Sequence, residues 1–314
     1  MKKFQLKNFA IISLLVFLVI SGLNLSLAEA KKGNLLEWNG QKIATLDANG
    51  KSYIQVEQAA QASGTDIHKS KNKYVMQSRL DRIQKKGVIR VGTTGDYKPF
   101  TYFNEETNEF EGLDIDAAKL MAVDLGVEVE FVKTSWPTLM EDLLDDKFDI
   151  AVGGISRNTD RQITGHLSIP YLDDGKSPLI REEDKDRFQS LEDIDQPDVT
   201  IGVNPGGTNQ KFVDANIKQA NVVVIENNLD IPPMVAEGEV DVMITDKVEA
   251  IYYASKDERL YAALTDSTFT KSQKGYLMHR NDPAFQNWVD LWMEEMELQG
   301  EFDRLKQEWI YSGE

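Results

Sequence analysis

Short apolar segments alternate with helical segments from residue 76 to the end of the chain. Val88–Val91 has the pattern of a strand, Leu113–Leu125 that of a helix ended by Gly126, and Val127–Val132 alternates as a second strand. A helix over Trp136–Asp145 and a strand over Asp149–Val152 follow. This order predicts an α/β fold with parallel strands and right-handed crossovers.

The same order recurs in the second half of the chain. The further predicted elements are strands at Val199–Val203, Val222–Ile225 and Asp241–Ile244, and helices at Asn209–Asn216, Asp230–Glu237, Pro283–Gln299 and Glu301–Tyr311. Two halves of similar build predict two lobes around a central cleft, where ligands bind preferentially. We expect lobe 1 to comprise residues 76–172 and 269–314, and lobe 2 to comprise residues 173–268.

Residues 31–75 follow a different pattern. Leu35–Ile43 predicts a strand, Asp47–Lys51 a hairpin turn, Tyr53–Val56 the returning strand and Glu57–Gly64 a short helix. We therefore expect a small N-terminal β-β-α unit, close to the lower size limit for a domain that is stable alone. It contains no recognisable catalytic pattern.

The first thirty residues have the layout of an export signal. Three lysines precede the apolar stretch Phe9–Leu23, and Ala28-Glu29-Ala30 matches a small-x-small cleavage site. The apolar stretch is shorter than the roughly 20 residues that span a bilayer. The sequence predicts a signal peptide over residues 1–30, a periplasmic or extracellular protein and no stable membrane insertion after cleavage, with an uncleaved anchor as the alternative.

The composition limits the partners of the protein. There are 35 basic and 52 acidic residues, a net charge of −17, and no cysteine. Such a surface repels a phosphate polymer, so nucleic acid is not an expected partner. The three histidines lack the spacing of metal ligands, so no metal site is predicted.

Three predicted strands end in polar, glycine-containing turns, within Val91–Phe100, Ile150–Arg161 and Val199–Asn209. Ligands of open α/β sheets bind beyond the carboxyl ends of the strands. The three turns therefore predict one pocket assembled from distant parts of the chain. Asp96 and Tyr97 belong to the first turn and are expected to contact the ligand.

The turn at Gly206-Gly207-Thr208-Asn209 is a candidate anion site. Glycine lets backbone N–H groups approach a ligand, and a helix N-terminus favours negative charge. Thr208 or Asn209 can serve as the N-cap. An ordinary strand–helix turn is the alternative.

Two cations are candidates for binding carboxylates. Arg161 offers a planar guanidinium that binds a carboxylate through two hydrogen bonds, and Ser156 adds a hydroxyl donor. Arg157 competes for this role in the same loop. Lys176 follows a glycine where the chain is expected to cross between the lobes, so it can reach into the cleft. Solvated surface side chains are the alternative for both cations.

Asp246 and Glu249 stand where a strand ends and a helix begins. Residues three apart lie on nearly the same helix face. One carboxylate can orient a ligand while the other, removed from water, keeps its proton and acts as a general acid. Helix capping is the alternative. Trp136 begins a predicted helix and can line the pocket or pack in the core.

Residues 76–311 resemble the extracellular solute-binding proteins that capture polar amino acids. The shared motifs are the Gly-Ile-Ser loop with Arg161, Ser168–Tyr171, Gly206–Asn209 and Asp246. The resemblance implies a two-lobed, periplasmic-binding-protein-like (type II) fold. It also implies that Ser156, Arg161 and the backbone of Gly207 and Thr208 hold an α-carboxylate, and that Asp246 holds an α-amino group.

The chain is also similar to an enzymatic branch of that family, the periplasmic cyclohexadienyl dehydratases. The motifs are Thr93–Phe100, Thr134–Pro137, Ser168–Lys176, Asp195–Pro197, Asn204–Asn209, Thr245–Asp246 and Glu249–Ala250. The resemblance implies decarboxylating dehydration of prephenate to phenylpyruvate or of arogenate to phenylalanine. Glu249 would be the general acid and Lys176 a catalytic cation, with no cofactor.

The predicted site therefore combines two catalytic residues with a set of substrate-binding residues. The expected substrate-binding residues are Asp96, Tyr97, Trp136, Ser156, Arg161, Gly207, Thr208, Asn209 and Asp246. The alternative function is an amino-acid-binding protein that performs no catalysis and hands its ligand to a membrane permease. In that case Glu249 only contacts the ligand or caps a helix.

Overall fold

A computed structural model describes residues 31–38, 41–48, 51–63, 66–70 and 73–311; the predicted signal peptide lies outside these ranges. The chain divides into two compact units, Met1–Arg82 and Ile83–Glu314. Within the described ranges, no helix has both the length and the apolarity that crossing a membrane requires.

The N-terminal unit contains more strands than the predicted β-β-α arrangement. Its elements are strands β1 (Lys31–Trp38), β2 (Gln41–Ala48) and β3 (Lys51–Ile54), helix α1 (Val56–Ser63), strands β4 (Asp66–Ser70) and β5 (Lys73–Gln77), and the first half of helix α2 (Arg79–Lys86). Strands β1, β2 and β3 form an antiparallel sheet, and β4 and β5 form a hairpin. Ile43 and Ala60 are buried within the unit.

The prediction of a single strand over Leu35–Ile43 is wrong. Trp38 of β1 pairs with Gln41 of β2, so the predicted segment spans a two-residue connection between antiparallel strands. The sequence there is Asn-Gly, a pair that favours tight hairpins because both residues tolerate positive φ. The predicted turn at Asp47–Lys51 does join two strands, since Ala48 pairs with Lys51.

The larger unit has two five-stranded sheets. Its strands are β6 (Val88–Thr93), β7 (Asp96–Tyr97), β8 (Thr101–Asn104), β9 (Glu109–Glu111), β10 (Glu128–Lys133), β11 (Ile150–Ala151), β12 (Gly165–Leu167), β13 (Leu172–Asp174), β14 (Lys176–Arg181), β15 (Thr200–Val203), β16 (Asn221–Val224), β17 (Val242–Asp246), β18 (Leu260–Ala262), β19 (Ser272–Lys274) and β20 (Leu277–His279). Its helices after α2 are α3 (Leu113–Leu125), α4 (Leu139–Leu144), α5 (Thr159–Thr164), α6 (Leu191–Ile194), α7 (Thr208–Asn216), α8 (Ile231–Glu237), α9 (Lys247–Lys256), α10 (Pro283–Leu298) and α11 (Glu301–Trp309).

The two sheets lie in the two predicted lobes. The strand order is β10-β6-β11-β20-β12 in lobe 1 and β16-β15-β17-β14-β18 in lobe 2. In each sheet the three strands predicted from the repeated strand–helix order are parallel. The pattern did not predict the other two strands of each sheet, and each of these joins its neighbours by antiparallel pairing. The fold is two-lobed α/β, as expected.

The chain crosses between the lobes twice, and the two crossings pair with each other. Strand β13 enters lobe 2, β19 returns from it, and they are antiparallel, with Leu172 opposite Lys274 and Asp174 opposite Ser272. Each lobe also has its own buried apolar cluster. Lobes with separate cores and a narrow connection move as rigid bodies about that connection.

Candidate active site

A cavity of about 20 Å³ lies between the two lobes. Its lining residues come from the ends of strands and the turns that follow them: Tyr97, Trp136, Gly154, Ser156, Arg161, Asn204, Gly207, Thr208, Asn209 and Asp246. Every predicted substrate-binding residue except Asp96 is among them. The structure therefore brings these residues to one place, and their roles toward a ligand stay predictions.

The lobes are closed over this cavity. The Tyr97 hydroxyl of lobe 1 donates to Oδ2 of Asp246 in lobe 2 at 2.5 Å. The Asn228 side-chain amide of lobe 2 donates to the carbonyl oxygen of Asp96 in lobe 1 at 3.1 Å. A cavity of this size has room for roughly one water molecule. A ring-sized ligand therefore requires the lobes to separate before it can enter.

Asp246 is the centre of a buried ion-pair network. It ends β17 and is the N-cap residue of α9. Its Oδ1 accepts a hydrogen bond from Lys176 Nζ at 2.8 Å, and its Oδ2 accepts one from Lys274 Nζ at 2.6 Å. Burial alone would raise the pKa of Asp246, but the two lysines outweigh burial and hold that pKa well below its ordinary value.

Lys176 lies behind the cavity wall. It begins β14 directly opposite Asp246 in the antiparallel pairing, and it is 4% exposed. Its Nζ also donates to Thr208 Oγ1 at 3.0 Å and to Asn209 Oδ1. Burial lowers the pKa of Lys176, and the charge of Asp246 partly offsets this effect. In the closed arrangement its donors are thus directed to protein groups.

Lys274 is a second buried cation of this network, which the sequence interpretation missed. It ends β19 at the crossing between the lobes and has no exposed surface. Besides Asp246, its Nζ donates to Ser156 Oγ at 3.1 Å and to the Tyr97 hydroxyl at 3.2 Å, and it lies 3.7 Å from Asp174 Oδ2. No motif surrounds it. The available signal was its place near the second crossing, the criterion that singled out Lys176.

Arg161 is the cation that lines the cavity. Helix α5 positions it, with the Asn158 side chain accepting from the Arg161 backbone N–H at 2.8 Å. Its guanidinium donates to the carbonyl oxygen of Ser156 at 2.8 Å and lies 6.0 Å from the Trp136 ring. Among the described residues it forms no ion pair with a carboxylate. Burial lowers the pKa of Arg161 to about 10, so it is cationic at neutral pH.

The start of helix α7 lines the same cavity as Arg161 and comes from the other lobe. Gly207 is the N-cap residue and Thr208 the first helical residue, and both line the cavity. The first backbone N–H groups of a helix have no partner within it and favour an anion. A carboxylate in the cavity would therefore have both a guanidinium and a helix N-terminus within the cavity wall.

Glu249 lies in the first turn of α9 and is completely buried. Its Oε1 accepts from the Asn228 side-chain amide at 2.6 Å, and its Oε2 accepts from the Thr245 hydroxyl. Burial raises the pKa of Glu249 to about 8, although both hydrogen bonds lower it. Glu249 is therefore protonated at neutral pH. It does not line the cavity while the lobes are closed.

Asp96 also lies off the cavity wall. The Trp136 indole N–H donates to Asp96 Oδ1 at 3.0 Å, so Asp96 fixes the orientation of an aromatic side chain that does line the cavity. Burial raises the pKa of Asp96. The described ranges contain no group of three or more acidic or histidine side chains arranged to hold a metal ion.

Comparison with known proteins identifies the family. Residues 89–312 match the model of the bacterial extracellular solute-binding proteins, family 3. A cyclohexadienyl dehydratase of Pseudomonas aeruginosa is 46% identical over 234 residues, which cover 74% of this chain and 87% of the relative. The L-cystine-binding protein TcyA of Bacillus subtilis is 24% identical over 234 residues, 73% of this chain and 83% of that protein.

A solved structure shows the same relationship. The ancestral amino acid-binding protein AncCDT-1, described as a precursor of cyclohexadienyl dehydratase, superposes with a TM-score of 0.69 at 34% identity. The match covers 74% of this chain and all of that one. The family match spans most of the chain and includes both crossings between the lobes. The chain belongs to family 3 of the bacterial extracellular solute-binding proteins.

Proposed function

We propose that the protein is a cyclohexadienyl dehydratase that acts on prephenate, arogenate or both. The observation that carries this proposal is Glu249, a buried carboxyl beside the cavity whose pKa is raised to about 8. A protein that only holds a solute has no need of a protonated acid. The 46% identity to a cyclohexadienyl dehydratase supports the same function.

The reaction needs an acid because the ring hydroxyl of the substrate is a poor leaving group. Glu249 would donate its proton to that hydroxyl, which leaves as water. The ring carboxylate leaves as carbon dioxide, and the electrons of its carbon–carbon bond complete the aromatic ring. The carboxylate of Glu249 then regains a proton from solvent. A general acid with a pKa near the working pH is effective in this role.

The remaining residues would position the substrate. Arg161 and the N-terminus of α7 would hold one carboxylate, which is supported by the fact that both line the cavity. Lys176 is hydrogen-bonded to Thr208 and Asn209, which line the cavity. These two contacts would hold its ammonium close to the bound substrate. Fixing the substrate in the reactive orientation is worth several kcal/mol of barrier in favourable cases.

Lobe movement is part of the proposed cycle. The substrate would bind to the open form, and closure would restore the contact between Tyr97 and Asp246 and remove water from Glu249. Because burial is the largest cause of the raised pKa of Glu249, closure also keeps the acid protonated. The membership in an extracellular family supports export, and we infer that residues 1–30 direct it.

The purified protein tests the proposal directly. It is expected to form phenylpyruvate from prephenate or phenylalanine from arogenate without an added cofactor. Glu249→Gln, which keeps the shape and removes the acidic proton, is expected to lose the activity at unchanged fold. Glu258→Gln is the matched control, because Glu258 is an exposed acid just beyond the same helix. If neither substrate reacts, the protein is not a cyclohexadienyl dehydratase.

Binding without catalysis is the second candidate function. It is favoured by Arg161, which has no carboxylate partner in the described structure, and by the family, which includes amino-acid-binding proteins. In this case a polar or cationic amino acid would pass to a membrane permease. Calorimetric titration with amino acids distinguishes the two functions, since saturable binding in a protein that converts neither substrate supports the carrier.

A further inference from the structure

Both carboxylate oxygens of Asp246 already have cationic partners in the closed site. Lys176 occupies Oδ1 at 2.8 Å, and Lys274 occupies Oδ2 at 2.6 Å together with the Tyr97 hydroxyl. A ligand α-amino group binds such an aspartate by donating to these same oxygens. The ammonium of Lys274 therefore stands where the resemblance to amino-acid-binding proteins placed the amino group of the ligand.

The charges around the cavity also favour an anion over a zwitterion. Three cations lie in or directly behind the cavity wall: Arg161, Lys176 and Lys274. Among the described residues that line the cavity, Asp246 is the one carboxylate, and it is already paired with both lysines. Asp174 lies behind Lys274 at 3.7 Å, and burial raises its pKa despite that lysine. An added ammonium group would face like charges in a place without water, which is unfavourable.

We propose that Lys274 is a specificity-determining residue that makes this site select the 2-oxo acid prephenate over the 2-amino acid arogenate. The inference rests on the proposed dehydratase function and goes beyond it by choosing between its two substrates. The two molecules have the same ring and carboxylates, and only the 2-position differs. A 2-oxo group accepts hydrogen bonds, and the donors near Asp246 are Lys274, Lys176 and Tyr97.

The position of Lys274 in the fold explains why it can act on the choice of substrate. It is fixed by strand β19 at the crossing, contacts Ser156 and Tyr97 of lobe 1, and reaches Asp246 of lobe 2. It is therefore in place whenever the lobes close. In the closed site, an ammonium on the substrate would have to displace the ammonium of Lys274, which has no exposed surface there.

Steady-state kinetics with both substrates test the proposal. The unmodified protein is expected to show a kcat/KM for prephenate ~10-fold or more above that for arogenate, the discrimination of one charge-assisted hydrogen bond. Lys274→Met removes the cationic partner of Asp246 Oδ2, leaves only the neutral Tyr97 hydroxyl on that oxygen among the contacts described above, and is expected to reduce this ratio ~10-fold. Lys271→Met is the control, because Lys271 is exposed in the segment that leads into β19 and is expected to leave the ratio unchanged.

The outcomes separate this inference from the proposed function. Turnover of both substrates with equal kcat/KM, or an unchanged ratio in Lys274→Met, overturns the selection by Lys274 and leaves the dehydratase function in place. Turnover of neither substrate removes both. If Lys274→Met does not fold, Lys274→Gln keeps a hydrogen-bond donor without the charge, and a full preference for prephenate in that variant overturns the proposal.

Discussion

Replacing Glu249 by glutamine is expected to make the protein more stable at alkaline pH while it removes the activity. Glu249 is fully buried, and burial raises its pKa from the ordinary value of 4.5 to about 8. A glutamine has nearly the same shape and keeps an oxygen that accepts from Asn228, but it never ionises. The two proteins therefore differ in how their stability responds to pH.

The sign and size of this difference follow from proton linkage. Below about pH 4.5 the carboxyl is protonated in both the folded and the unfolded chain, so Glu249 causes no pH dependence there. As the pH rises, only the unfolded chain ionises, and the folded state loses stability until its own pKa of about 8 is reached. At roughly 1.4 kcal/mol for each unit of pKa, the loss is on the order of 5 kcal/mol.

Urea unfolding at pH 5 and pH 9 measures this loss. The free energy of unfolding of the unmodified protein is expected to fall between these pH values by several kcal/mol more than that of Glu249→Gln. Glu258→Gln, the exposed control, is expected to follow the unmodified protein. Parallel pH dependences in the unmodified protein and Glu249→Gln would mean that Glu249 is ionised at neutral pH, and the general-acid role would have to be abandoned.

Three further changes test other parts of the site. Arg161→Met is expected to lower kcat/KM ~10- to 100-fold, because the substrate carboxylate loses its guanidinium partner. Arg157→Met is the control and is expected to lower kcat/KM much less; steady-state kinetics measure both. Gly206→Ala is expected to favour the open form, because Gly206 has φ +81° and a Cβ there would lie 2.6 Å from Pro137 of the other lobe. Small-angle scattering would then show a larger radius of gyration than that of the unmodified protein. Asp114→Ala is expected to reduce the free energy of unfolding by about 3 kcal/mol or more, because Asp114 accepts from two buried backbone N–H groups and two tyrosines, and thermal unfolding measures this.

The parallel part of each sheet was predictable because its elements are locally encoded. Helix Leu113–Leu125 has the same limits in the structure as in the sequence prediction, and Gly126 ends it in the left-handed conformation. Strands Thr200–Val203 and Val242–Asp246 lie within two residues of their predicted limits. In these segments the hydrophobic period, the turn residues and the helix caps all favour the same element.

The added antiparallel strands were not predictable in this way. Strands Gly165–Leu167, Leu260–Ala262 and Leu277–His279 have three residues each, which is too few to show a period. Lys176–Arg181 is longer, but it is buried almost throughout and therefore lacks the alternation of polar and apolar residues. These segments pair with strands that are distant along the chain. They become strands because they extend an existing sheet, and their local sequence does not indicate this.

The protonation states of the carboxylate pair likewise could not be predicted from the sequence. Asp246 and Glu249 are three residues apart and equally buried, yet their pKa values shift in opposite directions. The difference comes from two lysines, 70 and 28 residues away, which contact Asp246 and do not contact Glu249. Sequence spacing predicted the pair, and only the tertiary contacts decide which member keeps its proton. Burial is the largest cause of the raised pKa of Glu249, and the nearby charge of Asp246 raises it further, while the hydrogen bonds from Thr245 and Asn228 lower it. The two lysines therefore keep Asp246 ionised, while burial without a cationic partner among the described residues leaves Glu249 an acid.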